Sequence, residues 1–266
     1  MRRRFTLPTQ PFDTFHLSYL ITSLILSAVI LVLAKLLLKK QRAKNIFLLV
    51  FGILPFAIHI SLLWGEFFIY GRAIAYDNIL FAIYPCNVVM FMVLYLGGSR
   101  RKNTYFFQGS ACFAFYVGIV GNLAGLFYPT YYYDGLTFEA VKSLLSHSTL
   151  FICCWWLLLG GYFKIRLTNI IPYALGCVGG LIIGLLNFSI FKISGAPYLH
   201  IMYIGTPAIP NTPLTIWVIM PLSCLFVALI GYLGEFAYPK ELRSYHKFRI
   251  FDQKNPDGSN IEENKV

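Results

Sequence analysis

Long apolar segments separated by short polar ones dominate this chain. In a helix, about 20 apolar residues cross the roughly 30 Å hydrocarbon core of a bilayer. The runs are continuous and do not alternate with a period of two, so they predict helices and not the strands of a barrel. Seven runs reach the necessary length: Phe15–Leu38, Ile46–Ile69, Asn78–Gly97, Thr104–Tyr128, Leu144–Phe163, Asn169–Phe191 and Leu214–Gly234. The pattern therefore predicts an all-α fold, a polytopic transmembrane helical bundle of about seven spans.

The basic residues of the loops predict how the bundle is oriented. The loops after the first, third and fifth spans hold nine Lys and Arg residues, against three in the loops after the second, fourth and sixth. Cytoplasmic loops carry the excess of Lys and Arg, so we expect the N-terminus outside and the C-terminus in the cytoplasm. Arg2, Arg3 and Arg4 run against this orientation. The predicted organisation is a transmembrane bundle over residues 1–234 and a cytoplasmic polar tail over residues 235–266.

Composition excludes several functional classes. Of the 266 residues, 58% are hydrophobic and only 12% are charged, whereas soluble domains carry about 25% charged residues. The net charge of +11 is spread over short loops between apolar runs, which indicates contact with membrane lipids and not with nucleic acid. All six cysteines fall inside predicted helices, so we expect no extracellular disulfide framework and no metal site.

Glycines and prolines predict how the helices pack and bend. Gly176, Gly180 and Gly184 in the sixth span, and Gly121 and Gly125 in the fourth, have the small-xxx-small spacing that lets a neighbouring backbone approach closely. Pro55 and Pro85 are predicted to lie in the middle of the second and third spans and to kink them.

Polar side chains inside the spans are the main functional signal of the sequence. With the predicted orientation, five spans place theirs in the outer half of the membrane, where His147 is predicted within the first turn of the fifth span. Such side chains are costly in lipid and usually face the protein interior. We therefore expect a pocket that opens towards the non-cytoplasmic leaflet, lined by His59, Cys86, Asn87, Asn122, His147 and Asn187.

Two classes of function remain open from the residues alone. Cys86 follows a proline, precedes an amide and has a histidine at a similar predicted depth, a combination that suits a nucleophilic cysteine. A buried cysteine commonly serves as a small hydrophobe, and a histidine as an interhelical hydrogen-bonding group. The alternative is thus a non-enzymatic small-solute transporter or membrane scaffold.

Three short blocks carry a resemblance to a known family. They are Pro85-Cys86-Asn87-Val88-Val89, then Ser146-His147-Ser148-Thr149-Leu150, and finally Leu186-Asn187-Phe188 followed by Tyr203, the Pro207–Pro210 loop and Trp217. In this order they resemble the integral membrane proteins that include bacterial YwaF-type proteins and the eukaryotic transmembrane protein 164 acyltransferases. The resemblance covers roughly residues 80 to 220.

The resemblance implies a phospholipid acyltransferase of the cell membrane that needs no cofactor. Cys86 would be the nucleophile and form a thioester, and His147 would be its general base. Asn87, Asn122, His59 and Asn187 would bind substrate or donate to the oxyanion. Independently of the resemblance, Arg72 and Lys142 are the scarce bases of the predicted outer face, and this position makes them the candidates to hold the phosphate. Membrane phospholipids are the partners that this interpretation names, and it leaves the oligomeric state open.

Overall fold

Every regular element that the computed structural model describes is helical. The described residues are 12–69, 71, 84–100, 104–128, 138–195, 201–208 and 211–244. Six of the seven α-helices in them are long and apolar enough to cross a membrane, and α3 is a shorter apolar helix. The helices are α1 Thr14–Leu37, α2 Gln41–Trp64, α3 Pro85–Gly98, α4 Tyr105–Phe127, α5 Phe138–Leu159, α6 Ile170–Ser194 and α7 Ile216–Glu235. The predicted all-α polytopic helical bundle is confirmed.

The chain divides into two compact units, each assembled from separate stretches of sequence. The first unit comprises Met1–Gly98 and Val117–Trp156, and the second comprises Ser99–Tyr116 and Leu157–Val266. Helices α1, α2, α3 and most of α5 belong to the first unit, whereas α6 and α7 belong to the second. Helix α4 contributes its C-terminal half to the first unit and its N-terminal half to the second. Five of the six predicted site residues therefore belong to the first unit.

Helix α5 begins six residues before the predicted start. Glu139, Lys142 and Ser143 interrupt the apolar pattern there, but the helix includes all three, because long unbranched side chains such as Glu and Lys are good helix formers. The helix ends just before Gly161, whose φ of 83° is a left-handed conformation that glycine adopts readily. The prediction that His147 lies in the first turn is wrong, since it lies in the third.

Helix α3 begins at Pro85, so the prediction of a kink in mid-helix at this proline is wrong. A proline is well tolerated at the first helical position, because the backbone N–H that it lacks would have no partner within the helix. Residues 78–83 of the predicted third span lie outside the described residues. Pro55, in contrast, lies inside α2 as predicted.

In the first unit, α2 packs in an antiparallel arrangement against α3. Gly97 of α3 lies against the backbone of α2 at Leu49, and Gly52 of α2 lies against Val93 of α3. The missing side chains let the two helices approach closely, and this register puts His59 at the level of the N-terminal turn of α3.

Helix α2 also packs against α5. The Trp156 indole N–H donates to the carbonyl of Lys44 over 3.1 Å, and at the other end of α2 the ring of Phe138 lies against Gly65. Gly65 opens a short π-helical turn, Gly65–Ile69, that extends α2. The two contacts show that α2 and α5 run in opposite directions.

Helix α1 is attached to the first unit by buried polar contacts. The His16 side chain is fully buried. Its Nε2 donates to the carbonyl of Leu126 over 2.7 Å, and its Nδ1 accepts from the N–H of Phe12 over 2.9 Å. The Tyr19 hydroxyl lies 2.8 Å from that of Ser148. The start of α1 is therefore fixed at the C-terminal end of α4.

In the second unit, the glycines of α6 receive side chains and not a helix backbone. Gly176 faces the ring of Phe113, and Gly184 faces the side chain of Met202. The close approach of two backbones occurs instead at Gly231 in α7, which lies against the backbone of Arg166. The glycine spacing thus predicted tight packing in α6 correctly but not the kind of neighbour.

The first residues of the predicted polar tail fold back on the second unit. Glu235, the last residue of α7, is buried, and its carboxylate accepts from the backbone N–H groups of Leu167 and Ser244, each over 3.0 Å. The hydroxyl of Ser244 donates to the same carboxylate. The Arg166 guanidinium donates to the carbonyl of Leu242 over 3.0 Å. Residues 245–266 of the tail lie outside the described residues.

Candidate functional site

The strongest polar cluster of the first unit joins α4 to α5. The Oδ1 atom of Asn122 lies 3.0 Å from Nδ1 of His147, and its Nδ2 donates to the sulfur of Cys154 over 3.7 Å. Asn122 and Cys154 are both fully buried. The structure thus brings together two predicted site residues, Asn122 and His147, and adds Cys154, which is not among the residues predicted from the sequence.

Two glycines of α4 make room for this cluster. A Cβ atom on Gly125 would collide with the imidazole ring of His147, and one on Gly118 would collide with the sulfur of Cys154. Gly118, Asn122 and Gly125 are spaced so that they share one face of α4. His147 and Cys154 are seven residues apart and share one face of α5. The site is therefore a contact between two specific helix faces.

The hydrogen bond to Asn122 determines which nitrogen of His147 carries the proton. A carboxamide oxygen only accepts hydrogen bonds, so Nδ1 of the neutral ring must be the donor. The ring's other nitrogen, Nε2, then has a free electron pair and lies on the side of the ring that faces Gly125. A histidine held in this way can act as a general base through Nε2.

Cys86 lies in the first turn of α3, where the backbone begins the helix. The side-chain oxygen of Asn87 accepts from the N–H of Tyr84 over 2.9 Å, and the N–H of Asn87 donates to the carbonyl of Tyr84 over 3.0 Å. This reciprocal pair caps the helix. The Cys86 thiol is partly exposed and interacts with the backbone N–H groups of Cys86 and Asn87. The side-chain oxygen of Asn87 therefore accepts a hydrogen bond within the cap. The donors of this side chain are the two N–H groups of its amide.

Lys142 connects Cys86 and His147 electrostatically. Its ammonium charge acts on both side chains, and Glu139, one turn earlier in α5, acts in turn on Lys142. A cation at this position stabilises negative charge that develops nearby, whether on a thiolate, an oxyanion or a phosphate. From the sequence, the only role predicted for Lys142 was to hold the phosphate. Arg72, its predicted companion, lies outside the described residues.

The remaining predicted site residues, His59 and Asn187, are both buried. His59 belongs to α2 in the first unit, at the level of the first turn of α3. Asn187 belongs to α6 in the second unit, one turn after Gly184. A common pocket that includes Asn187 stays a prediction.

The sequence does contain a signal for the contact between Cys154 and Asn122. The spacing of seven between His147 and Cys154 put both on one helix face, and Asn122 stood between two glycines of the facing helix. His16 is one of five histidines in the chain, and nothing in its local sequence pointed to a partner 110 residues away.

In the described part of the chain, no group of three or more His, Cys, Asp or Glu side chains could hold a metal ion.

The fold and its buried polar cluster define a multi-pass helical membrane protein. A family model described as the TMEM164 family matches residues 11–233, and the chain belongs to that family. This match confirms the resemblance seen in the sequence. No curated protein and no solved structure matches the chain.

Proposed function

We propose that the protein is a cysteine-dependent acyltransferase that acts on phospholipids of the cell membrane, in the outer half of the bilayer. The observation that carries the proposal is the hydrogen bond between Asn122 and Nδ1 of His147 in the first unit, which leaves Nε2 as the basic nitrogen of the ring. Membership of the TMEM164 family supports it. So does the charge of Lys142, which stabilises negative charge that develops at Cys86.

The relative depth of Cys86 also supports the proposal. Gly118 faces both Val89 of α3 and Cys154 of α5. Successive spans cross a membrane in opposite directions, so one turn from Val89 towards Cys86 leads in the same direction as one turn from Gly118 towards Asn122. We therefore expect the thiol at about the depth of the Asn122–His147 pair.

The proposed reaction has two steps. In the first, His147 Nε2 takes the thiol proton as the Cys86 sulfur attacks the ester carbonyl of a phospholipid. A C–S bond forms, the ester C–O bond breaks, and the lysolipid alcohol leaves with the proton from His147. In the second step, the hydroxyl of an acceptor lipid attacks the thioester, with His147 again moving the proton, and the free thiol is restored. Donors such as the Asn87 amide stabilise the oxyanion, each typically by about 3–4 kcal/mol.

The proposal is tested by transfer of a tagged acyl chain from a phospholipid to a lysolipid, with purified protein in detergent and products separated by chromatography. Cys86→Ser is expected to lower the rate at least about 100-fold, and His147→Gln by roughly 100-fold or more. Cys224→Ser is the matched control, because it removes a thiol from α7 in the second unit. Its rate is expected to equal that of the parent.

Two results would contradict the proposal. Transfer by Cys86→Ser at the parental rate would exclude this nucleophile. If the folded parent protein transfers no acyl chain and a small solute raises its thermal stability, the transporter class would be favoured instead.

A further inference from the structure

Cys154 is a buried thiol that the proposed reaction does not use. It lies in α5 with no exposed surface, and its sulfur is pressed against Gly118 of α4. The space that Gly118 leaves is no wider than the thiol itself. It therefore has no room for an acyl group on this sulfur. Cys154 is therefore poorly placed to be a nucleophile, and its hydrogen bond with Asn122 suggests another role.

The carboxamide of Asn122 has two chemically different ends, and each of its two neighbours faces one of them. The nitrogen end only donates and the oxygen end only accepts. Nδ2 donates to the sulfur of Cys154 over 3.7 Å, which leaves Oδ1 facing His147 over 3.0 Å. A cysteine in a helix can donate its S–H to the carbonyl one turn earlier, as serine and threonine do, and its sulfur then accepts. If the amide rotated by 180°, the thiol would have to give up that bond to donate to the oxygen, and the ring would face an N–H.

The orientation of the amide decides the tautomer of His147. With Oδ1 facing the ring, Nδ1 must carry the proton and Nε2 has the free electron pair. With the amide reversed, Nδ1 would accept the hydrogen bond, the proton would reside on Nε2, and the ring would lose its basic nitrogen on that side.

We propose that Cys154 is a positioning residue: by accepting from Asn122, its sulfur holds the amide in the orientation that keeps His147 protonated on Nδ1 and basic on Nε2. Asn122 transmits this effect, and Gly118 admits the sulfur to hydrogen-bonding distance. The consequence for catalysis rests on the proposed acyl transfer. The effect of Cys154 on the tautomer of His147 is independent of that function.

The tautomer can be measured without any activity. The full chain is labelled with [¹⁵N]histidine, purified in detergent and examined by NMR, which separates protonated from unprotonated ring nitrogens. The chain has five histidines, and His147→Gln identifies the signal of His147. Cys154→Ser keeps an acceptor of similar size, whereas Cys154→Ala removes the acceptor. Both variants lose the sulfur, but only Cys154→Ala loses the hydrogen-bond acceptor. A difference between them therefore reports the hydrogen bond alone.

The expected result is that Nδ1 of His147 is protonated in the parent and in Cys154→Ser, and that Cys154→Ala shows a mixture of both tautomers. A parent ring protonated on Nε2 would overturn the proposal. So would Cys154→Ala with the parental tautomer, because the sulfur would then have no part in orienting the amide.

The kinetic consequence is a separate measurement. Cys154→Ala is expected to lower kcat for acyl transfer by about 10- to 100-fold, typical for residues that orient a functional histidine, with little change in KM. Cys154→Ser is expected to restore most of the rate. If the tautomers behave as expected but no variant or parent transfers acyl chains, the proposed function fails and the positioning role stands. If transfer depends on Cys86 but the tautomer does not depend on Cys154, only the positioning role fails.

Discussion

The packing of His147 against Gly125 gives a prediction whose magnitude follows from the structure. In the variant Gly125→Ala, the added Cβ would lie 2.6 Å from both Cδ2 and Cε1 of the imidazole. Carbon atoms in contact prefer about 3.5–4.0 Å, so the ring must move away from α4. Because Asn122 is one turn earlier on the same helix, that movement also stretches the hydrogen bond between Asn122 and Nδ1.

Three terms set the size of the effect. Overpacking of this kind costs about 1–3 kcal/mol, and a hydrogen bond between membrane helices contributes about 0.6 kcal/mol. Alanine in place of glycine favours the helix by up to about 1 kcal/mol. We therefore expect Gly125→Ala to lower the free energy of unfolding by about 0.5–2.5 kcal/mol.

Gly121 provides the control, because it lies one turn from Gly125 in α4. Among the described residues, a Cβ on Gly121 would meet no neighbouring side chain or other helix within 4 Å. Gly121→Ala therefore has the gain in helix propensity without the collision, and it should be as stable as the parent or more so. The difference between the two variants is expected to be about 1.5–3.5 kcal/mol, since the propensity term is common to both.

The assay is equilibrium unfolding of the detergent-solubilised protein by SDS titration, followed by tryptophan fluorescence and helical circular dichroism. Equal free energies of unfolding for Gly125→Ala and Gly121→Ala would contradict the prediction. That result would mean that His147 does not pack against this face of α4.

Three further predictions concern other parts of the molecule. Glu235→Ala removes the acceptor that holds Ser244, so trypsin should cleave after Arg243 faster than in the parent, and stability should fall by about 1–3 kcal/mol; unchanged cleavage would show that the C-terminal segment is held otherwise. His16→Phe leaves the Leu126 carbonyl without its imidazole donor and should lower stability by about 1–2 kcal/mol in the same SDS titration, whereas an unaltered titration would argue against this attachment of α1. A fluorescent protein fused to the C-terminus should fold and fluoresce in the cytoplasm, as the loop charges predict, and a dark fusion expressed at the same level would reverse the predicted orientation.

The helices were predictable from the sequence because the cost of exposing a peptide group to lipid leaves long apolar runs few alternatives. The ends were less predictable. Lys142 and its polar neighbours read as loop, yet they lie within α5, since one polar helix face is compatible with a helix that continues. Pro85 read as a kink, but a proline suits the first turn of a helix equally well, and apolar content does not distinguish the two positions.

The sequence predicted which residues belong to the candidate site better than it predicted which of them are in contact. The cost of polar groups in lipid pointed to Asn122 and His147, and the structure joins them. It did not single out Cys154, because a thiol is apolar enough to look like core, and which of six cysteines faces an amide depends on helix rotation. The contact of His16 with Leu126 links distant parts of the chain, so no local pattern encodes it.

The most direct test of the central claim is to find the acyl group on the protein. The purified chain is incubated with a phospholipid that carries a tagged acyl chain, without an acceptor, and the adduct is located by peptide mass spectrometry before and after hydroxylamine. We expect a hydroxylamine-sensitive adduct on Cys86 that is absent from Cys86→Ser and retained in Cys224→Ser. A folded protein that acquires no adduct, or acquires one on another cysteine, would contradict it.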